Sequence, residues 1–267
     1  MPRVATILTA LALAGGLVTP PAHASGSTEP VARAPRQVFP SLGSTAPTAS
    51  AHAVEELTSW TMQDAGSLGF SHYVLEQYNT YANEWGVVYY GTETSYRALL
   101  RVNQFTEFRV TAYDSGGQPG PTVYGQGFVP YMADDHDPAP PYLTSVTYSH
   151  AWTRHRSSTA FRHAYRQSTR SGASVAMCGY FYRAALVAPR NRAGGTASVN
   201  AFGKHHHAVS FHARRTHYRD VIEHWSTAAD HGTPAGSGQQ HCLTLTAKSA
   251  APIYLDALEY NVPDIIE

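Results

Sequence analysis

From Leu57 onward the chain breaks into short runs of β-branched, aromatic and aliphatic residues, each closed by Gly, Pro, Asn, Asp or Ser. No heptad or sustained 3.6-residue period links these runs, which excludes long amphipathic helices as the organising element. Strand side chains alternate between two faces, and the apolar face must be covered by a second layer. The expected fold class is therefore all-β, built from sandwiches. Composition agrees: charged residues make up only 14 %, against 17 Tyr, 21 Gly and 17 Pro, a mixture suited to strands and tight turns.

The first residues carry an export pattern. Arg3 precedes an apolar stretch from Val4 to Val18, and Ala22-His23-Ala24 supplies small residues flanking a cleavage point after Ala24. A membrane span needs about 20 apolar residues. This stretch is shorter, is interrupted by Gly15-Gly16, and runs into Pro20-Pro21. Residues 1–24 read as a signal peptide, so the expected location is secreted or extracellular, with cell-wall association allowed and no membrane span after cleavage. Residues 25–35, rich in Ser, Gly, Thr and Pro, read as a disordered lead.

Two modules are expected beyond it. The first, 36–130, shows strand patterns at Leu57 to Met62, His72 to Tyr78, Trp85 to Tyr90, Tyr96 to Val102 and Phe108 to Asp114. Residues 131–144 read as a semi-stiff linker, because Pro138, Pro140 and Pro141 oppose helix. The second, 145–263, has candidate strands at Ser174 to Cys178, Tyr180 to Pro189, Thr196 to Phe202, His205 to His212, Asp220 to Trp225, His241 to Ala247 and Ile253 to Tyr260. Cys178 and Cys242 are the two cysteines, and an even count in an exported chain favours one disulfide over two free thiols.

The first module resembles a bacterial fibronectin type III domain. The likeness lies in Trp60, then Tyr73-Val74-Leu75, then Phe108-Arg109-Val110-Thr111-Ala112-Tyr113-Asp114 followed by Gly116. It implies that Trp60 fills the core between two sheets and that the Phe108 strand packs against it. Thr106 stands where the family usually has the tyrosine of a corner motif, which implies a less rigid corner. The second module is similar to secreted galactose-binding-like jelly rolls. Trp152, Gly172-Ala173-Ser174, Met177-Cys178-Gly179, Val187-Ala188-Pro189, Thr196-Ala197-Ser198-Val199 and Tyr254-Leu255-Asp256-Ala257 carry that likeness. It implies a ligand-presenting sandwich, often for carbohydrate. It also puts Met177 inward and so Cys178 outward; alternating Leu243 and Leu245 turn Cys242 outward too, which allows the pair to bridge neighbouring strands.

Charge divides the chain. No acidic residue stands between Asp137 and Asp220, a stretch holding twelve Lys and Arg, whereas residues 55–137 carry eleven acids against Arg97, Arg101 and Arg109. One reading is simple solubility; the other is a footprint for an anionic partner such as wall polymer or acidic polysaccharide, or for the acidic first module. Nucleic acid is not expected, since no binding motif accompanies the charge.

Aromatic faces with Arg suit sugar rings, and the candidate ligand-binding residues are Trp152, Tyr165, Arg190, Arg192 and Trp225. His205-His206-His207 offers a weak metal pair in His205 and His207, placed on the core side if Val209 and Phe211 point inward. A zinc site needs a third protein ligand, so no metal and no cofactor is assigned. A GxSxG elbow is absent. A glycosidase pair would have to come from Asp220, Glu223, Asp230, Asp256 or Glu259, and Asp256 reads as a buried, hydrogen-bonded carboxylate. The expected function is non-enzymatic binding or adhesion to extracellular or cell-wall glycan. The alternatives are an accessory component or hydrolase of polysaccharide breakdown, and a His-rich metal-sequestering protein.

Overall fold

The structure, a computed structural model, describes residues 29–38, 53–134, 142–149, 151–227 and 239–263. The expected signal peptide and the prolines of the expected linker lie outside these residues. Regular structure among the described residues is antiparallel strand, with one 3-10 turn at Phe161–His163.

In chain order, the first ten strands are β1 (Val31–Ala32), β2 (Arg36–Val38), β3 (Ala53–Ser59), β4 (Met62–Asp64), β5 (Phe70–Asn79), β6 (Glu84–Gly91), β7 (Ser95–Arg101), β8 (Phe108–Asp114), β9 (Val123–Tyr124) and β10 (Phe128–Ala133). A three-stranded sheet, β2-β3-β7, and a four-stranded sheet, β6-β5-β8-β9, meet through their apolar faces. Trp60 is buried there with Tyr73, Leu75, Phe108, Val110 and Ala112. Thr106 and Phe128 exchange both backbone hydrogen bonds, at 2.8 and 2.9 Å, so main-chain pairing ties the corner where Thr106 stands.

The remaining strands are β11 (Leu143–Tyr148), β12 (Thr153–Arg156), β13 (Ala164–Ser168), β14 (Ser174–Gly179), β15 (Arg183–Arg190), β16 (Thr196–Ala201), β17 (Lys204–Ser210), β18 (His217–Ser226), β19 (His241–Ala247), β20 (Ile253–Leu255) and β21 (Ala257–Pro263). A five-stranded sheet, β11-β14-β19-β16-β17, packs on a four-stranded sheet, β10-β21-β15-β18. Strands β12, β13 and β20 form a third, small sheet. Cys178 and Cys242 are direct partners on β14 and β19, with Cα atoms 4.0 Å apart and the sulfurs at 2.08 Å.

The sheet β10-β21-β15-β18 is buried on both faces. Ala184, Leu186 and Ala188 of β15 enter the second core, while Ala185 and Val187 enter the first. On β21, Leu258, Tyr260 and Val262 face the second core. Alternation then turns Glu259 and Asn261 toward the first. Both are buried there in a polar seam with Glu56 and Thr58 of β3, Gln37 of β2 and Arg183 of β15.

Four expectations change. The lead over 25–35 contains β1, which pairs with β4 and buries Ala32, because Val31-Ala32 supplies an apolar edge to the first core. The boundary at 130 and the linker start at 131 fall inside β10, which pairs with β21; the linker's end, from Leu143, belongs to β11. Pro130 is tolerated because β10 is an edge strand. The single strand from Ile253 to Tyr260 is two strands, since the chain changes sheet at Asp256. Finally, Ala197 pairs with Val209 but Val199 with His206, so β17 carries a bulge that reverses the parity of its histidines. His206 is the residue that turns toward Trp225, 6.2 Å between ring centres, while His205 and His207 are exposed.

Candidate functional site

Two loops meet at one end of the second module, and arginines hold them together. β15 ends at Arg190, and Asn191 forms a bridge to His212. Asn191 N donates to Phe211 O at 3.1 Å, and Ala213 N donates to Asn191 O at 2.9 Å. Gly194 lies flat against this contact: a Cβ there would stand 1.9 Å from Phe211 O. Side chains complete the clasp. Arg190 donates to His212 O at 3.2 Å and Arg192 to Arg214 O at 2.8 Å, while His212 Nδ1 lies 2.9 Å from Arg192 O.

Arg190 also pairs with Asp220 at 3.3 Å. Burial raises the Asp220 carboxyl above its ordinary value, and the Arg190 guanidinium and His217 oppose that rise. Arg214 and Arg215 are exposed, and no carboxylate lies within ion-pair distance of either among the described residues. The corner thus gathers Arg190, Arg192, Arg214 and Arg215 with one acid, already paired.

Tyrosines flank it. Tyr254 OH accepts a hydrogen bond from Asn191 Nδ2 at 2.8 Å. The Tyr165 ring meets Tyr254 edge-on at 5.9 Å and stacks on His155 at 5.4 Å. Burial, then Tyr254, Tyr218 and Asp256, raise the Tyr165 hydroxyl above its usual value, so this phenol stays protonated and can donate. Tyr218 is exposed nearby. Such a surface can pair anionic groups through guanidinium forks and meet hydroxyls through Tyr and His.

Three of the five expected ligand residues, Tyr165, Arg190 and Arg192, come together through Asn191 and Tyr254. Trp152 stands apart: its indole donates to Ser174 O at 2.9 Å and its ring packs on Tyr148 and the core. Trp225 is a core side chain, 4 % exposed, which withdraws it as a stacking face for a surface ligand. His207 lies 2.8 Å from Glu223, and among the described residues no three His, Cys, Asp or Glu side chains are grouped to hold a metal.

The acids weighed for hydrolysis scatter. Asp220 is taken by Arg190, and Glu223 by His207 and the His224 amide. Asp256 is buried and accepts from Phe161 N at 2.8 Å; Glu259 lies in the seam between the cores, and Asp230 is outside the described residues. Sequence reasoning missed Arg214 and Arg215 as corner residues, and it missed the exposed Tyr81, Val87 and Leu99 of the first module. Their signal was an apolar or charged side chain at an outward position, visible only once strand pairing is known. The chain matches no protein-family model and no curated protein.

Proposed function

We propose that the chain is an exported binding protein whose second module holds an anionic extracellular or cell-wall glycan at the arginine corner. The clasp between the 190–195 and 211–217 loops carries this reading. It fixes the Arg190 and Arg192 side chains and brings the exposed Arg214 and Arg215 alongside on the neighbouring loop, with one paired acid, beside tyrosine and histidine rings. Arg190 and Arg192, already held, lose little freedom on binding, and the planar guanidinium forks of the corner match carboxylates and phosphates.

The fold reading that accompanies this is a fibronectin type III-like module followed by a galactose-binding-like jelly roll. A seven-stranded pair of sheets around buried Trp60, with the Phe108 strand packed beside it, supports the first. Two antiparallel sheets packed face to face support the second.

The test is binding of the full mature chain to polygalacturonate, with neutral dextran as control. Replacing both Arg214 and Arg215 by Ala should weaken polygalacturonate binding by roughly tenfold, about 0.5–1 kcal/mol for each exposed charge. Binding should fall steeply as salt screens the contact. Equal affinity for dextran, or salt-independent binding, refutes the proposal.

A further inference from the structure

Two clefts in the first module, about 370 Å³ and about 760 Å³, share Tyr81, Leu99, Arg101 and Gln104 in their walls and run together as one groove. The larger ends against Arg162, which the 3-10 turn of the second module contributes. Arg219 donates to Ala160 O at 3.0 Å, so the strand leaving the arginine corner is tied to the segment that carries Arg162.

The lining is distinctive in what it exposes. Tyr81, Val87 and Leu99 are 79 %, 63 % and 62 % exposed, among the barest large apolar side chains on the described surface. Grouped apolar exposure of this kind marks a surface that a partner covers. Tyr81 is presented by a built turn: Asn79 Oδ1 accepts from the Tyr81 and Ala82 amides at 3.0 and 3.3 Å, and Gln104 donates to Thr80 at 2.9 Å.

The polar part of the wall is side-chain amide and guanidinium. Gln77, Asn79, Asn103 and Gln104 line the groove with Arg101 and Arg162, and no carboxylate lines either cleft. Amides donate and accept at once, which suits sugar hydroxyls; a tyrosine face suits the C–H side of a pyranose ring. Arg162 already lies 4.0 Å from the buried Asp134 carboxylate, which leaves the exposed Arg101 to complement a ligand that brings its own negative charge. A peptide paired to the edge of β6 or β7 would be held by main chain, leaving the Gln77 and Asn103 amides without a role.

We infer that this groove is a second glycan site, taking a carboxylate-bearing stretch of polysaccharide. Tyr81 stacks a sugar ring, the amides hold hydroxyls, and Arg101 meets a carboxylate. The inference rests on the anionic-glycan reading of the arginine corner, and places the second contact for that polymer on the other module.

Calorimetry of the full chain with a short oligogalacturonate, too short to reach both sites, separates the two readings. The expected stoichiometry is two per chain, falling to one when Tyr81 and Arg101 are both replaced by Ala, and to one when Arg214 and Arg215 are. At the groove, the first pair should weaken binding by at least about tenfold, the loss of one stacking face and one charge-assisted contact. Unchanged thermal melting confirms that these exposed substitutions leave the fold intact. One site lost only with Arg214 and Arg215 overturns the groove while the corner stands. One site lost only with Tyr81 and Arg101 supports the groove and overturns the corner. No binding by the unaltered chain overturns both, and a groove that prefers neutral dextrin or poly-glutamate overturns the ligand class.

Discussion

Asn261 Nδ2 of β21 donates to Glu56 Oε2 of β3 at 3.2 Å, across the seam between the two cores. Glu259 lies in the same buried layer. Desolvation raises its carboxyl well above the ordinary value, and Glu56 and then Glu55 push it further. Glu56 is raised to about 7, chiefly by burial, with Arg183 and Asn261 opposing. The seam is therefore most comfortable when its carboxyls hold protons.

Stability should fall with rising pH in consequence. A carboxyl whose folded pKa exceeds its unfolded value binds more protons when folded, so its contribution is full below the unfolded pKa and lost as pH rises through the folded one. For Glu56 that window runs from its ordinary value of 4.5 to about 7. For Asp256, raised mainly by burial, it runs from 3.8 to about 8. Urea midpoints measured from about pH 5 to about pH 9 should decline, and Glu259→Gln should flatten the decline by removing one ionisation. A midpoint that rises across this range contradicts the protonated seam.

The cross-strand disulfide closes a sequence separation of 64. Replacing Cys178 and Cys242 by Ser should cost about 4 kcal/mol by the loop-entropy model, read as a lower urea midpoint. Thiol titration of the denatured, unreduced purified protein should find no free thiol. Two free thiols would show the pair open.

Arg190→Ala removes both the Asp220 partner and the tie to His212 O. The buried Asp220 carboxylate left behind makes this cost about 1–3 kcal/mol. Amide exchange should quicken in 191–194 and 211–214 more than in β14 or β19. Uniform exchange across the module would show that Arg190 does not hold the clasp.

Gly194→Ala drives a methyl against Phe211 O, a backbone atom that yields only if the loop moves. The expected loss is about 1–3 kcal/mol, with weaker binding at the arginine corner. Full stability and full binding together would show the loops are not locked.

Clean alternation made much of the fold legible: Phe108–Asp114 and His241–Ala247 read as strands to the residue. Facts of pairing were hidden. β10 carries Pro130 beside an Asp- and Pro-rich stretch and so resembles a linker until β21 is placed next to it. One extra residue in β17 inverted the histidines, because strand parity has a period of two. Tyr165, Arg190 and Arg192 were recognisable by residue type, but the clasp that joins them to Arg214 depends on loops far apart in sequence. Trp152 and Trp225 showed aromatic character; only packing decides whether such a ring faces core or solvent.

The placement of β10 bears on how the protein can be cut and recombined. It follows the first module in the chain, yet it is an edge strand of the second module's sheet. A backbone nick between 134 and 142 would break no strand pairing among the described residues, and the halves should stay associated as a complementing pair. Grafting the second module onto another protein requires residues 128–133 to travel with it, and a graft beginning at 145 strips β21 of a neighbour and opens an aggregation-prone edge.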